Sequence, residues 1–124
     1  MMTESVRFNV ANPVGGLVRE LAPGIETQLF WGKQAMMSVL TCSPNAAGEE
    51  HWHDEEQWAV VLEGGGVLVV GGEDHEVAVG DVCMIPGGTP HNFIAGPSGA
   101  RILDVFAPPR GAYTAAGKGF ASQG

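Results

Sequence analysis

HWHDEEQWAVVLEG, residues 51–64, is the most informative stretch of this sequence. His51 and His53 are two positions apart, so on an extended strand both imidazoles point to the same face. Gln57 lies four positions beyond His53 and falls on that face too if the strand stays regular. A His-x-His pattern alone also fits two surface histidines, so the choice between the two interpretations depends on the rest of the chain.

A second stretch, GDVCMIPGGTPH at residues 80–91, ends in His91 after a Pro-Gly loop. With His51 and His53 this residue offers three neutral imidazoles, and Gln57 adds an amide oxygen. Such a donor set suits one borderline divalent metal ion, and zinc, nickel, manganese and iron all fit it.

Short apolar segments, separated by Gly and Pro clusters, flank both stretches. Alternation of this kind predicts strands and tight turns, and no segment has a helical period over several turns. The fold is therefore predicted to be all-β, a sandwich, jelly roll or barrel. The predicted strands are Thr27–Trp31, Met36–Cys42, Trp58–Leu62, Val67–Val70, His75–Val79, Val82–Ile85, His91–Ile94 and Arg101–Phe106.

Composition excludes several classes of protein. The chain has 124 residues, enough for one domain, and its net charge of −8 with six Lys and Arg argues against nucleic-acid binding and docking on anionic membranes. Residues 1–10 hold no apolar segment of the kind found in secretory signals, and no apolar run is long enough to span a membrane.

Cys42 and Cys83 are expected to be reduced residues in a cytoplasmic protein, with a disulfide as the alternative.

Both histidine stretches resemble the two motifs of the cupin family. The family's first motif is His-x-His, three or four residues, Glu, six residues and Gly, and here Gln57 replaces the Glu while Gly64 matches. The second is Gly, five residues, Pro-x-Gly, two residues and His, which residues 80–91 match completely. Fifteen residues separate Gly64 from Gly80, a spacing usual for short cupins. Two further departures are Asn45 and Ala95, at positions where the family often has Gly and Asn.

The resemblance covers about residues 24–110 and implies a double-stranded β-helix, or jelly-roll, barrel. On this basis the chain divides into an N-terminal arm (1–24) ending in the turn Pro23-Gly24, a barrel (25–110), and a C-terminal tail (111–124) that frays or wraps the outside. Small cupins usually pair through edge strands or such an arm, so a homodimer is expected.

Replacement of Glu by Gln57 has a physical consequence. A neutral amide leaves the +2 charge of the ion uncompensated, which makes the ion a stronger electrophile and favours an anionic ligand. The alternative is that Gln57 has lost the ligand role and that the site is weak or empty.

A late segment, DVFAPPR at residues 104–110, is similar to a cupin subgroup that includes the enzyme linearising 4,5-unsaturated uronates in pectin and alginate breakdown. The resemblance implies that Asp104 is a general acid/base, that Arg110 binds the substrate carboxylate and that Phe106 shapes the pocket. Alternatively, Asp104 and Arg110 pair with each other and close the barrel. The related enzymes usually continue with acidic and aromatic residues, whereas this chain continues Gly111-Ala112-Tyr113.

The function expected from these features is a metal-dependent enzyme that carries out isomerisation, ring opening or lyase-type proton transfer on a sugar acid or a similar hydroxy or keto acid. Two alternatives stay open: an Fe(II)-dependent dioxygenase, and a non-catalytic module that binds or senses a small ligand. His75 is expected to face solvent. The acidic run around the histidines is expected to be a solvated rim, although some of its carboxylates could orient imidazoles.

Overall fold

A computed structural model describes residues 6–121 of the chain. Residues 1–5 of the predicted arm and 122–124 of the predicted tail lie outside this range. The strands are β1 (Leu17–Ala22), β2 (Ile25–Trp31), β3 (Met36–Cys42), β4 (Glu56–Val70), β5 (Glu73–Ala78), β6 (Val82–Ile85) and β7 (His91–Ala107), followed by one 3-10 turn at Gly111–Tyr113. All pairings between these strands are antiparallel, in the order β1-β2-β3-β7-β4-β5, and β6 pairs with β4. The all-β prediction is confirmed.

Two long strands replace four predicted short ones. The predicted segments Trp58–Leu62 and Val67–Val70 are both parts of β4, and the two segments predicted within 91–106 are both parts of β7. The glycines between them predicted turns, but they mark irregularities where β4 pairs with β7. A Cβ at Gly66 would lie 2.2 Å from the carbonyl oxygen of Ile94, so only glycine allows this approach. The register shifts bend both strands, so the sheet curls around an interior.

Strand β1 lies inside the segment predicted as an arm and pairs with β2 across the turn at Pro23-Gly24. The sequence did not predict it, because an inward position of the strand is occupied by Arg19, which is buried. A charged residue at a buried position removes the alternation by which a half-buried strand is recognised.

The barrel interior is mostly apolar but also holds buried polar side chains. Its core includes Ile25, Leu29, Met36, Leu40, Val61, Ile85, Ile102 and Phe106. Polar side chains that are also buried include Thr27, Ser38, His51, His53, Gln57, His91 and Asp104. No helix among the described residues is long and apolar enough to cross a membrane.

Candidate metal centre

His51 and His91 are brought together by a two-residue bridge rather than by a regular ladder. The backbone N–H of His51 donates to the carbonyl of His91 at 3.1 Å, and the N–H of His91 donates back at 2.9 Å. His53 follows outside any regular strand, and a bend at residues 54–55 separates it from Gln57 on β4. The regular strand on which the predicted position of Gln57 depends is therefore absent between His53 and β4. Gln57 Oε1 nevertheless lies 3.1 Å from His53 Nε2.

The Pro-Gly loop of the second motif packs against this bend. The N–H of Gly88 donates to the carbonyl of His53 at 2.8 Å. A Cβ at Gly87 would lie 2.2 Å from the carbonyl oxygen of Asp54, so the close approach requires glycine. The loop therefore fixes the backbone of the first motif from the side of the second.

All three histidines have the same hydrogen-bond pattern. The Nδ1 atom of each lies 2.8–3.0 Å from a backbone carbonyl, of Glu49 for His51, of Glu55 for His53 and of Thr89 for His91. A carbonyl oxygen can only accept, so each Nδ1 carries the proton and each Nε2 keeps a lone pair. This is the outer arrangement that metal-binding imidazoles use.

The free lone pairs converge. One ring nitrogen from each histidine lies within 4.8 Å of the others. His91 Nε2 is buried without a hydrogen-bond partner among the described residues. His53 Nε2 and Gln57 Oε1 face each other as two acceptors, an arrangement that a cation between them would stabilise. The donor set therefore fits a divalent metal ion.

The electrostatics also favour a neutral ligand set. Burial lowers the pKa of His51 to about 3 and that of His53 to about 4, and it lowers the pKa of His91 as well. Hydrogen bonds to the backbone carbonyls oppose this lowering, whereas Arg110 lowers all three pKa values and neighbouring imidazoles lower those of His51 and His53. At neutral pH the Nε2 atoms of the three imidazoles therefore carry no proton, and a metal ion can bind them without displacing one.

Asp104 and Phe106 lie next to the histidines, on the inward face of β7. Asp104 is fully buried, and burial raises its pKa to about 7, while a hydrogen bond from the Gln57 side chain opposes that rise. The Phe106 ring contacts the His53 ring edge-to-face at 5.4 Å between centroids. Both side chains line an interior cavity of about 50 Å³, together with His51, Gln57 and His91.

Arg110 is buried but does not pair with Asp104. Its Nη1 and Nη2 donate to the carbonyls of Phe120 and Ala121 at 2.9 and 2.7 Å. Its Nε lies 3.7 Å from a carboxylate oxygen of Glu55, which is also 3.6 Å from His53 Nδ1. Glu55 thus differs from the solvated rim expected of the acidic run, because it links Arg110 to a histidine.

The sequence did not single out four residues in or near this centre. Asn92, Tyr113 and Phe120 line the cavity, and the Arg19 guanidinium lies 5.0 Å from the Tyr113 ring. Asn92 lines the cavity, and its buried Oδ1 has no hydrogen-bond partner among the described residues. Phe120 comes from the tail and stacks on His51 at 4.2 Å between centroids. No local pattern marks these residues, because their positions depend on contacts with distant segments.

A family model for the cupin domain matches residues 38–106, more than half of the chain. This chain belongs to the cupin family. The HxH and second-motif histidines of the cupin are the three that converge in the structure.

This cupin resembles known proteins of several kinds. The dimethylsulfoniopropionate lyase DddW of Ruegeria pomeroyi is 29% identical over 75 residues, which cover 60% of this chain and 49% of that protein. The oxalate decarboxylase OxdC of Bacillus subtilis is 35% identical over 72 residues, or 54% of this chain and 19% of that protein. The structure of KdgF from Halomonas sp. superposes with a TM-score of 0.75 at 23% identity, covering 90% of this chain and 99% of that one. The structural similarity confirms the predicted jelly-roll fold. The cupin spans about half of DddW and about a fifth of OxdC.

Proposed function

We propose that this cupin is a metal-dependent enzyme that acts on a small hydroxy or keto acid, such as a sugar acid, by isomerisation, ring opening or lyase-type proton transfer. The observation that carries the proposal is the convergence of three imidazole nitrogens within 4.8 Å beside the buried carboxyl of Asp104. A Lewis-acid site and a proton-transfer group then line one cavity.

A divalent ion would be held by the three histidines and Gln57, and when bound it would polarise a carbonyl or hydroxyl oxygen of the substrate. Imidazole and amide ligands suit zinc, nickel, manganese and iron. A structural study of Bacillus subtilis oxalate decarboxylase concerns its Mn(II) centres.

Asp104 would hold and release the proton. A carboxyl group whose pKa lies at about 7 can act as acid or base near neutral pH, and a bound cation would shift its pKa downward. The Gln57 side chain donates a hydrogen bond to this carboxyl and so orients it.

Two further residues would bind the substrate. Asn92 Oδ1, a buried acceptor without a partner among the described residues, suits a substrate hydroxyl. The Arg110 guanidinium lies 5.9 Å from the centroid of the Phe106 ring and suits a carboxylate, as the family resemblance implies. To bind it, Arg110 would exchange its bonds to the tail carbonyls.

The curated relatives support the reaction class, since one is named a lyase and the other a decarboxylase. Both names refer to reactions of small carboxylic acids. The homodimer and the cytoplasmic location also stay proposals, and the two unpaired cysteines are compatible with a reducing compartment.

Elemental analysis tests the metal site. The protein is purified without chelator, beside His53→Ala and the matched control His75→Ala, whose histidine is exposed and lies outside both motifs. Near-stoichiometric zinc, nickel or manganese in the wild type and control, lost in His53→Ala, would support the proposal. Iron would favour the dioxygenase instead, with oxygen consumption as the next measurement.

Asp104→Asn separates an enzyme from a binding module. An enzyme would lose turnover and keep substrate affinity in this variant, measured over a panel of unsaturated uronates, hydroxy acids and keto acids. A wild type that binds a panel member and never turns it over would support the non-catalytic alternative. A wild-type protein that does not bind added metal would overturn the enzyme proposal.

A further inference from the structure

The C-terminal strap, defined as residues 111–121, is fastened to the barrel by a buried arginine of β1. Arg19 donates to the carbonyls of Ala112 and Ala115 through Nη1, to Lys118 through Nη2 and to Gly119 through Nε, at distances of 2.9–3.4 Å. The N–H of Gly119 also donates to the carbonyl of Glu20 at 2.8 Å. The strap is therefore fixed as far as Gly119.

Beyond Gly119 the strap depends on Arg110. This second buried guanidinium donates to the carbonyls of Phe120 and Ala121 at 2.9 and 2.7 Å. The Tyr113 ring lies between the two arginines, 5.0 Å from the Arg19 guanidinium and 4.1 Å from that of Arg110. The end of the strap is thus held by the residue that is predicted to bind the substrate carboxylate.

Phe120 packs against the metal centre. Its ring stacks on the His51 ring at 4.2 Å between centroids and 25° between planes, and it lines the interior cavity. With Phe120 in place the cavity measures about 50 Å³. Pockets for ligands of ordinary size have volumes of about 300–1,000 Å³. A cavity of this volume is too small for a sugar acid, and Phe120 is one of the side chains that line it.

We propose that Phe120 is a gate that controls access to the metal centre and sets the size of the acids that reach it. The inference rests on the proposed function, because it assigns a role at the same site. A ligand carboxylate offers Arg110 an ionised acceptor in place of two carbonyls, and ionised acceptors form the stronger hydrogen bonds. Entry of an acid and release of Phe120 therefore use the same guanidinium, while Arg19 keeps the rest of the strap in place.

Metal exchange tests the gate. Uptake and release of Zn²⁺ are followed by transfer to and from a chromophoric chelator in the wild type, Phe120→Ala and the control Phe8→Ala. Phe8 stacks on Phe30 at 3.8 Å, so its loss removes a comparable aromatic contact outside the site. Loss of the stack on His51 is expected to accelerate both uptake and release roughly threefold to tenfold in Phe120→Ala alone.

The equilibrium constant distinguishes a gate from a supporting contact. A gate changes uptake and release in parallel, so the dissociation constant for Zn²⁺ stays the same. The proposal that Phe120 is a gate is wrong if Phe120→Ala changes only one of the two rates, and with it the dissociation constant. It is also wrong if both rates keep their wild-type values.

Chemical modification of His51 measures access to the centre in the metal-free protein. Diethyl pyrocarbonate is applied to the metal-free protein, and carbethoxylation of His51 is read by mass spectrometry against exposed His75 as internal reference. His51 is expected to react slowly in the wild type and in Phe8→Ala, and several-fold faster in Phe120→Ala. Equal His51 reactivity in all three would refute the gate. If none of the three proteins binds Zn²⁺, the proposed function is overturned. The rate of His51 carbethoxylation then still tests whether Phe120 is a gate.

Discussion

Gln57 is the residue at which this cupin departs from the first family motif, and its surroundings give a reason. Its amide group donates a hydrogen bond to the Asp104 carboxyl, while its carbonyl oxygen faces His53. A glutamate here would place a second carboxylate beside a fully buried one, and like charges at close range destabilise each other. The amide can serve both the carboxyl and the metal centre.

This explanation predicts a coupling between the two positions. Gln57→Glu is expected to lower the free energy of unfolding of the metal-free protein by about 1–3 kcal/mol, because a hydrogen bond is lost and a charge is buried. Asp104→Asn is expected to remove most of that cost, since it restores a donor and deletes the opposing charge. Urea denaturation of both single variants and the double variant measures the coupling. An equal cost of Gln57→Glu in both backgrounds would refute the explanation.

The buried thiol of Cys42 predicts a loss of folding stability at alkaline pH. Burial, and to a lesser extent the charge of Asp104, raises the pKa of this thiol from 9.0 to about 12. The unfolded chain releases the proton first, so the stability that Cys42 contributes is complete below about pH 9 and is lost as the pH rises toward 12. Between about pH 8 and about pH 10.5 the wild type should lose about 2 kcal/mol more than Cys42→Ala. Denaturant titrations at both pH values check this. Cys83→Ala is the matched variant: burial raises the pKa of Cys83 as well, but a smaller difference is expected because Cys83 is only half-buried. Parallel losses in wild type and Cys42→Ala would contradict the prediction.

At the scale of elements, the loop between β6 and β7 supports the bend between His53 and β4. A Cβ on Gly87 would come within 2.2 Å of the Asp54 carbonyl, whereas a Cβ on Gly32, in the turn after β2, would meet nothing within 4 Å. The two glycines differ in the space around them, and only Gly87 touches the segment that positions a predicted ligand.

Gly87→Ala is therefore expected to cost about 1–3 kcal/mol of stability, as overpacking does, and to weaken metal binding by at least about tenfold. Gly32→Ala should leave both quantities close to the wild-type values. Thermal unfolding and metal titration calorimetry measure the two effects. If Gly87→Ala binds metal as tightly as the wild type, the loop does not hold the ligand geometry.

At the scale of the whole molecule, the outer face of the sheet is where the expected homodimer is predicted to form. Trp58 and Met84 are paired neighbours on β4 and β6, and each is 44% exposed, while Val82 on the same face is 58% exposed. Adjacent large apolar side chains on an edge strand favour pairing with a second copy.

Met84→Glu is expected to shift the protein from dimer to monomer, because a charge would be desolvated in the interface. Val14→Glu is the control, since Val14 is 72% exposed and lies outside the strands. Sedimentation velocity measures the oligomeric state. A monomeric wild type would refute the homodimer, and a dimeric Met84→Glu would place the interface elsewhere.

Much of the fold and of the centre followed from local patterns. The strands β2, β3 and β6 were predicted close to their observed limits, because their alternation and flanking Gly and Pro residues are local signals. The resemblance to the two cupin motifs implied that His51, His53 and His91 converge, as they do in the structure. Strand β1 was missed because buried Arg19 interrupts its alternation, and the lengths of β4 and β7 were missed because glycines allow two strands to cross closely.

The sequence by itself determined the all-β architecture and identified the three histidines as candidate metal ligands. Strand periodicity and the spacing within each histidine motif are local properties of the sequence. Only the tertiary structure decided the role of the tail. Arg19 and Phe120 are 101 positions apart in sequence, and Arg110 is bound to strap carbonyls rather than to Asp104. Backbone carbonyls accept hydrogen bonds whatever their side chains, so no residue pattern shows which carbonyls a buried arginine will hold.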